Sequence, residues 1–219
     1  EGNFEELNGP RLVEIWNDVF MEYNKKADGT FEKLTQQNVD TGMGLERTLV
    51  TLTGKDNVFE TEIFQPIIRK IEEISGHRCG VDAESDVSIK VIADHSRAIT
   101  FLIGDGVLPA NEGRGYVLRL ILRRAARHGR MLGFTQPFLA EIAKTVIDTM
   151  GQHYSELPRR REFILSNIEQ EEARFSQTLT NGLALLDELI ADLKAKGESV
   201  IPGADAFRLY DTHGFPLDL

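Results

Sequence analysis

The chain begins with alternating hydrophobic and polar positions and changes to helical spacing further along. Residues 11–23 alternate among β-branched and aromatic side chains, which favours a strand. The pair Asp28-Gly29 predicts a turn, because glycine accepts a positive φ, and residues 30–39 predict a returning strand. We therefore expect an antiparallel pair whose inner face carries polar groups, Asn17 among them. An inward asparagine on a strand is either hydrogen-bonded structure or a ligand contact.

A segment with two glycines follows the strands and opens a helix. Residues 40–48 read D-T-G-M-G-L-E-R-T, so the backbone can approach a ligand and a helix is expected from about Gly44. Arg47 falls in the first turn of that helix, where a cation opposes the helix dipole. Its position therefore indicates an anion in front of the helix. A further apolar stripe predicts a helix over residues 63–75, ended by Gly76.

Residues 76–88 contain glycine and several acidic residues, and they predict the junction between two domains. Beyond this junction hydrophobic residues recur at helical spacing, which predicts helices over residues 88–104, 138–150, 158–196 and 202–210. The third of these stripes contains Asn181-Gly182, which is a candidate kink. The apolar stripes are expected to form core. His95 is expected to be packed structure rather than a catalytic group.

The most basic stretch of the chain is residues 109–130, which contain six arginines. Residues 113–137 contain no Asp or Glu, and Arg119, Arg123 and Arg127 recur every four residues, so they lie along one side of a helix. Either these guanidinium groups pair with acidic side chains elsewhere in the chain, or they meet the phosphates of a nucleic acid. Because no acidic residue is interleaved, we favour a nucleic-acid backbone for the cluster as a whole.

Composition restricts the class of protein. The 219 residues are 41% hydrophobic and 27% charged with a formal net charge of -10, so a core is expected and the basic stretch is a local exception. No apolar run has membrane-spanning length, and the acidic first residues do not resemble a secretory signal, so we expect a cytoplasmic protein without membrane contact. The single cysteine, Cys79, excludes an internal disulfide. No histidine pair has metal-ligand spacing, so no metal site is expected.

Five short motifs occur in one order along the chain, and together they resemble those of alanyl-tRNA synthetase. They are E-I-W-N at residues 14–17, D-T-G-M-G-L-E-R at 40–47, A-D-H-S-R at 93–97, N-E-G-R-G-Y-V-L-R at 111–119 and L-Y-D-T-H-G-F-P at 209–216. Within the second, G-M-G-L-E-R resembles the third signature motif of class II aminoacyl-tRNA synthetases. The resemblance extends over essentially the whole chain. Nothing before Glu14 resembles the first two class II motifs, so we expect a fragment.

The resemblance implies an α+β fold in two parts. Residues 1–78 would be the C-terminal part of the class II catalytic domain, a remnant of its antiparallel catalytic sheet on the motif 3 side. Residues 79–219 would be an all-α helical domain that recognises the acceptor stem of a tRNA. The remainder of the synthetase chain would be a further partner.

The activity that the resemblance implies is ATP-dependent ligation of alanine to its tRNA, by adenylate formation and then acyl transfer to the terminal ribose. Asp40 would take the ammonium group of alanine, and Asn17 would hydrogen-bond the same ligand. Arg47 would balance the γ-phosphate of ATP. Mg²⁺ would accompany the triphosphate, and no residue is assigned to it or to a catalytic role. The ATP-binding residues would be Ile15, Trp16, Asn17, Gly44 and Arg47.

The nucleic-acid partner that the resemblance implies is the acceptor stem of an alanine-specific tRNA, recognised at a G·U wobble pair. Asn111 and Asp211 would contact base edges in the minor groove. Without the resemblance, Asn111 is interpreted as a helix cap and Asp211 as a turn residue. The phosphates would be held by Arg114, Arg119 and Arg123.

Two other functions are consistent with parts of the sequence. A non-catalytic module that binds the acceptor stem would account for the basic helix, and the missing N-terminal half favours it for the isolated chain. A helical scaffold without an RNA partner would leave the arginine cluster and the glycine motif unexplained. Because activation needs groups from both halves of the site, the chain alone is not expected to form alanyl-adenylate.

Overall fold

A computed structural model describes residues 13–211 and Phe215. The chain divides into two compact units, Glu1–Gln65 and Pro66–Leu219. The first, named the hairpin unit, contains a two-stranded sheet, and the second, named the helical unit, is built from α-helices. The predicted boundary between functional domains, at residues 78 and 79, stays a prediction.

The hairpin unit contains the antiparallel pair expected from the sequence. Strand β1 spans Trp16–Lys25 and strand β2 spans Phe31–Met43. The turn between them forms as predicted, with Gly29 at φ 86°. The Asp28 carboxylate accepts hydrogen bonds from the backbone N–H and the hydroxyl of Thr30, at 2.9 and 2.7 Å. The local turn chemistry and the strand pairing therefore support the same register.

Helix α1 follows the strands and spans Leu45–Thr53, with Gly44 as its N-cap residue. This confirms the predicted helix start. A short 3₁₀ turn, Val58–Glu60, comes next, and the hydrophobic pattern does not predict it. The Asn57 side chain caps this turn by accepting a hydrogen bond from the Phe59 N–H at 3.0 Å.

The side chains of both strands are exposed or half-buried. They include large hydrophobic groups, among them Phe20, which is 77% exposed, and Phe31, which is 68% exposed. A two-stranded ribbon encloses no core of its own. The apolar side chains of the hairpin therefore gain little free energy from burial within this unit.

The helical unit contains most of the secondary structure of the described chain. The helices predicted from the apolar stripes are confirmed apart from their ends, and a short additional helix, α6, precedes the longest one. The bounds are α2 Gln65–Ser75, α3 Ala83–Gly104, α4 Gly113–Met131, α5 Leu139–Met150, α6 Glu156–Arg159, α7 Arg161–Lys196 and α8 Gly203–Asp211.

Helix α3 begins earlier than the sequence pattern predicts. The predicted junction covers residues 76–88, but the helix starts at Ala83. Asp82 is its N-cap residue, and the carboxylate accepts a hydrogen bond from the Ser85 N–H at 2.9 Å. Two further acidic residues lie in the first turn, where they complement the helix dipole. Part of the acidic stretch interpreted as a junction is therefore a helix start.

The core of the helical unit forms where α3 packs against α4, α5 and α7. The 3.6-residue spacing places the apolar side chains of each helix on the face that meets its neighbours. Helix α7 runs unbroken through Gly182. The buried core side chains include Ile89, Ile92 and Ile99 of α3, Leu118 and Leu122 of α4, Ile142 and Val146 of α5, and Ile164, Ile168 and Phe175 of α7.

The described chain is mostly helical with a small two-stranded antiparallel sheet. In this coarse form the α+β expectation is confirmed. That the sheet is the motif 3 side of a class II catalytic sheet stays a prediction.

Candidate functional site

A cleft of about 770 Å³ in the helical unit collects polar side chains from α3, α4, α8 and the connector before α4. Four of the five residues that the sequence predicts for RNA binding line this one cleft: Asn111, Arg119, Arg123 and Asp211. The fifth, Arg114, is exposed in the first turn of α4. The other polar residues of the lining are His95, Tyr116, Arg124, Arg127 and Tyr210.

Asn111 contacts the basic helix without capping it. The N-cap residue of α4 is Glu112, so the alternative interpretation of Asn111 as the cap is wrong. Its side-chain oxygen instead accepts a hydrogen bond from Nη1 of Arg119. This contact orients the amide, because the oxygen faces the guanidinium group and the NH₂ group is left to donate elsewhere.

Glu171 of α7 pairs with two arginines of α4. Oε1 of Glu171 lies 3.2 Å from Nε of Arg119 and 3.0 Å from Nη2 of Arg123, and the glutamate side chain is only 2% exposed. The Arg123 guanidinium also lies over the Phe175 ring, 5.3 Å from its centroid. The interpretation that arginines of the stripe pair with an acidic side chain is therefore correct for Arg119 and Arg123. Each guanidinium has five N–H donors, so pairing with one oxygen leaves others for a ligand.

His95 connects Asp94 to Arg124 at the edge of the cleft. Its Nδ1 lies 2.9 Å from Oδ2 of Asp94, and its Nε2 lies 3.1 Å from Nη1 of Arg124. The hydrogen bond to His95 is the largest cause that lowers the pKa of Asp94. His95 is buried, as expected of packed structure, but it also lines the cleft, and the A-D-H-S-R motif is the sequence signal that could indicate this.

Helix α8 carries Asp211 to the cleft. Asp211 is the last residue of α8, so the alternative that it is a turn residue is wrong. The preceding residue, Tyr210, shares a side-chain hydrogen bond with Tyr116 of α4, and this bond raises the pKa of Tyr210. One side-chain contact therefore links α8 to the basic helix beside the two predicted base-reading residues.

The hairpin unit places the two predicted alanine ligands on one face of its sheet. Asn17 is paired with Gly42, and Val19 is paired with Asp40. Because directly paired residues share a face and alternate residues of a strand do too, Asn17 and Asp40 lie on the same face as diagonal neighbours. Both side chains are exposed.

The predicted ATP-binding residues of the hairpin unit do not all lie together: some join the start of α1 to the start of β1, whereas Trp16 and Asn17 lie on the sheet. The Gly44 N–H donates to the Ile15 carbonyl oxygen at 2.9 Å, and Nη1 of Arg47 donates to the Glu14 carbonyl oxygen at 2.8 Å, so the start of α1 is joined to the start of β1. Trp16 belongs to the opposite face of the sheet from Asn17.

The family model for tRNA synthetases class II (A) matches residues 1–219. The chain belongs to this class II synthetase family. The resemblance drawn from the five sequence motifs is thereby confirmed at the level of the family.

This member of the class II synthetase family is also similar to curated alanine–tRNA ligases. It is 56% identical to that of Desulfosudis oleivorans, 52% to that of Pediococcus pentosaceus and 51% to that of Geobacillus kaustophilus, over 209 residues in each case. Each alignment covers 95% of this chain and 24% of the relative. The chain therefore spans about a quarter of the length of these relatives.

Two absences hold for residues 13–211 and 215 of this synthetase chain. No helix within them is long and apolar enough to cross a membrane. No group of three or more His, Cys, Asp or Glu side chains among them could hold a metal ion.

Proposed function

We propose that this chain supplies two parts of an enzyme that ligates alanine to its tRNA with ATP: one side of the activation site and the domain that recognises the acceptor stem. The observation that carries the proposal is the cleft in which Asn111 and Asp211 lie among four arginines. Residues 1–78 would belong to the catalytic domain and residues 79–219 to the recognition domain. A cytoplasmic location stays a prediction.

Activation of alanine would use the face of the hairpin that carries Asn17 and Asp40. The alanine carboxylate attacks the α-phosphorus of ATP, which forms alanyl-adenylate and releases pyrophosphate. Asp40 would pair with the alanine ammonium group, and Asn17 would hydrogen-bond the same small ligand, which has no long side chain to grip. The carboxylate does not react in this step; it positions the amino acid.

ATP would lie near the junction of β1 and α1. Ile15 and Gly44 would line the adenosine, and Arg47 would face the γ-phosphate, with Mg²⁺ arriving as part of the nucleotide substrate. Trp16 was assigned to the same site from the resemblance. Trp16 belongs to the opposite face of the sheet from Asn17, and its role in ATP binding stays a prediction.

Recognition of the acceptor stem would use the cleft of the helical unit. Arg114, Arg119 and Arg123 would hold phosphates, which fixes the position of the stem without reading its sequence. Asn111 and Asp211 would meet base edges in the wide minor groove of A-form RNA. Asp211 can accept a hydrogen bond from the exocyclic amine of guanine, and the NH₂ group of Asn111 can donate to a base oxygen. A G·U wobble pair offers both groups.

The decisive experiment compares two stems in the complete ligase. Asn111→Ala or Asp211→Ala should cost roughly 1–3 kcal/mol in kcat/KM on a G·U stem, which is the range for a good base contact, and much less on a stem with a Watson–Crick pair there. Arg114→Ala is the matched control, because loss of a phosphate contact should weaken both stems alike and reduce the salt dependence of binding. Equal losses on both stems for the Asn111 and Asp211 variants would make these residues structural.

A second experiment tests the ATP assignment. In the complete ligase, Arg47→Ala should weaken ATP-dependent activation and leave tRNA binding largely intact, because the arginine is proposed to act on the triphosphate only. Activation can be followed by alanine-dependent pyrophosphate exchange and tRNA affinity by filter binding. Parallel loss of both would indicate that the Arg47 hydrogen bond to Glu14 is needed for folding instead.

The second candidate function is a non-catalytic module that binds the acceptor stem, and the observation in its favour is that the helical unit has its own core and cleft. The isolated chain is expected to bind a G·U acceptor stem but to catalyse no alanine-dependent pyrophosphate exchange above a no-protein control. Exchange well above that control would show that the chain holds a sufficient activation site.

A further inference from the structure

Helix α8 is attached to the helical unit by few buried groups. Among residues 203–211 and Phe215, the buried side chains are Leu209 and Phe215, at 9% and 5% exposure. The Phe215 N–H donates to the Leu209 carbonyl oxygen at 2.9 Å, so the two anchors are also linked through the backbone. The position of α8 therefore depends strongly on where these two side chains pack.

Phe215 packs directly on the backbone of α7 at Gly182. A Cβ atom placed on Gly182 would lie 2.2 Å from Cδ2 of Phe215, 3.0 Å from its Cγ and 3.1 Å from its Cε2. Ordinary contacts of a Cβ atom begin at 3.4 Å, so the ring would have to withdraw by about 1.2 Å to restore one. The ring lies this close only because residue 182 has no side chain.

The glycine has no other evident purpose within α7. The helix runs unbroken from Arg161 to Lys196, so Gly182 does not terminate or interrupt it. A glycine in a helix interior costs about 1 kcal/mol relative to alanine. A residue that weakens its own helix and admits an aromatic ring has a role in the contact with that ring.

We propose that Gly182 is a positioning residue for acceptor-stem recognition: it forms the seat for Phe215, and the seated ring holds α8 so that Asp211 faces the cleft opposite Asn111. This inference rests on the proposed function of the cleft. Phe215, Asp211 and Asn111 all line that cleft, so the seat and the two predicted base-reading residues belong to one assembly.

The withdrawal expected of the Phe215 ring is large compared with the positional tolerance of a group that reads a base. A binding group must be held within about 0.5 Å of its productive position, and a misplacement of about 1 Å can cost on the order of 100-fold in rate. The hydrogen bond between Tyr210 and Tyr116 ties α8 to α4 as well, so part of the displacement is resisted. We therefore expect a smaller loss, of about 10-fold, from a single added methyl group.

The test uses Gly182→Ala in the complete ligase. Two readouts are needed: hydrogen exchange of the α8 amides, which needs no tRNA, and the ratio of kcat/KM on a G·U stem to that on a stem with a Watson–Crick pair. We expect faster exchange in α8, unchanged or slower exchange in α7, and a ratio lowered about 10-fold. Thr180→Ala, on an exposed position of the same helix, is the matched control and should change neither readout.

A second variant keeps the test decisive if Gly182→Ala alone is unstable. Phe215→Ala removes the ring, so it should loosen α8 by itself, and adding Gly182→Ala to it should have no further effect on exchange of the α8 amides or on the ratio. Gly182→Ala that leaves α8 as protected as before overturns the proposal, as does an equal effect of Gly182→Ala with and without the Phe215 ring.

The outcome also separates this proposal from the function on which it rests. If α8 loosens and the ratio falls, both are supported. If α8 loosens but the ratio of kcat/KM on the two stems stays as it is in the parent protein, Asp211 does not read the stem. The specificity role of the seat is then overturned together with the proposed function. If α8 stays ordered while Asp211→Ala still lowers the ratio, the proposed function stands and the seat alone is overturned.

Discussion

In the hairpin unit the side chains of both strands are exposed or half-buried, whereas the helical unit buries a continuous core contributed by α3, α4, α5 and α7. The predicted ligands differ in the same way. Asn17 and Asp40 lie exposed on a sheet face, whereas Arg119 and Arg123 of the cleft are held by the buried Glu171.

This difference indicates how each site is ordered. In the helical unit the charged side chains have fixed partners on other helices of the same unit, so the geometry of the cleft is encoded within it. In the hairpin unit the turn and the strand register fix the backbone, but the side chains of the predicted alanine site gain no such support within residues 13–65.

The largest effect is expected from separating the two units. Residues 66–219 alone should unfold in one cooperative thermal transition, because α3, α4, α5 and α7 pack into a core within this unit. Residues 1–65 alone should show no cooperative transition, because an isolated two-stranded ribbon is marginal at best in water. Circular dichroism melts and the dispersion of amide NMR signals would measure this. A cooperative transition in residues 1–65 would remove the contrast between the units.

Much of this comparison could be anticipated from local sequence signals. The Asp28-Gly29 turn, the helix start at Gly44 and the apolar stripes of the long helices depend on neighbouring residues, and these predictions are confirmed. The start of α3 has a local signal of the same kind, the Asp82 cap, but the acidic composition of residues 76–88 predicts a junction there instead.

The contacts that order the cleft are not local, and the sequence could not supply them. Glu171 lies in a separate helix from the arginines with which it pairs, and no periodicity of α4 indicates that partner. Asn181-Gly182 predicts a kink because it interrupts the apolar stripe of α7, and nothing close to Gly182 in sequence indicates its contact with the distant Phe215 ring. The residue types of the cleft could be predicted from the motifs, whereas the partner of each side chain depends on how the helices pack.

The second prediction concerns Glu171 as the shared counterion of α4. Glu171→Ala should destabilise the helical unit by roughly 3–5 kcal/mol, because removing one partner of a buried ion pair leaves uncompensated charge. Chemical denaturation would measure the loss. Glu169→Ala, at an exposed neighbouring position, should change stability by less than about 0.5 kcal/mol. Similar losses for the two variants would mean that the arginines are not held from within the unit.

The third prediction concerns Glu172, which binds the start of α5. Its two carboxylate oxygens accept hydrogen bonds from the backbone N–H groups of Phe138 and Leu139, at 3.0 and 3.1 Å. Burial outweighs these bonds and raises the pKa of Glu172 from 4.5 to about 7. Because the folded protein binds this proton more tightly than the unfolded chain, the associated stability is complete below pH 4.5 and is lost as the pH rises to about 7.

The measurement for Glu172 is the stability of the helical unit as a function of pH. The contribution of this group should fall by on the order of 3 kcal/mol between pH 4.5 and 7, so the stability of Glu172→Gln should fall less, or rise more, than that of the parent protein in that window. Glu188→Gln, at an exposed position of α7, should leave the slope as it is in the parent protein. A parent curve that rises across the window as steeply as that of Glu172→Gln would contradict the raised pKa.

The smallest effect is expected at His95, where a side chain of the cleft is ordered by a second partner. An arginine nitrogen can only donate, so Nε2 of His95 accepts from Arg124 and Nδ1 carries the proton that faces Asp94.

His95→Ala should weaken binding of an acceptor stem by about 1 kcal/mol, the typical net value of one hydrogen bond, because Arg124 loses its fixed orientation. The salt dependence should persist in His95→Ala and decrease in Arg124→Ala, since we expect Arg124, which lines the cleft, to meet a phosphate of the stem. In an Arg124→Ala background, His95→Ala should have no further effect on affinity. If it weakened binding as much there as in the parent protein, His95 would act on the RNA or the fold by itself, and the cleft would not be ordered through this contact.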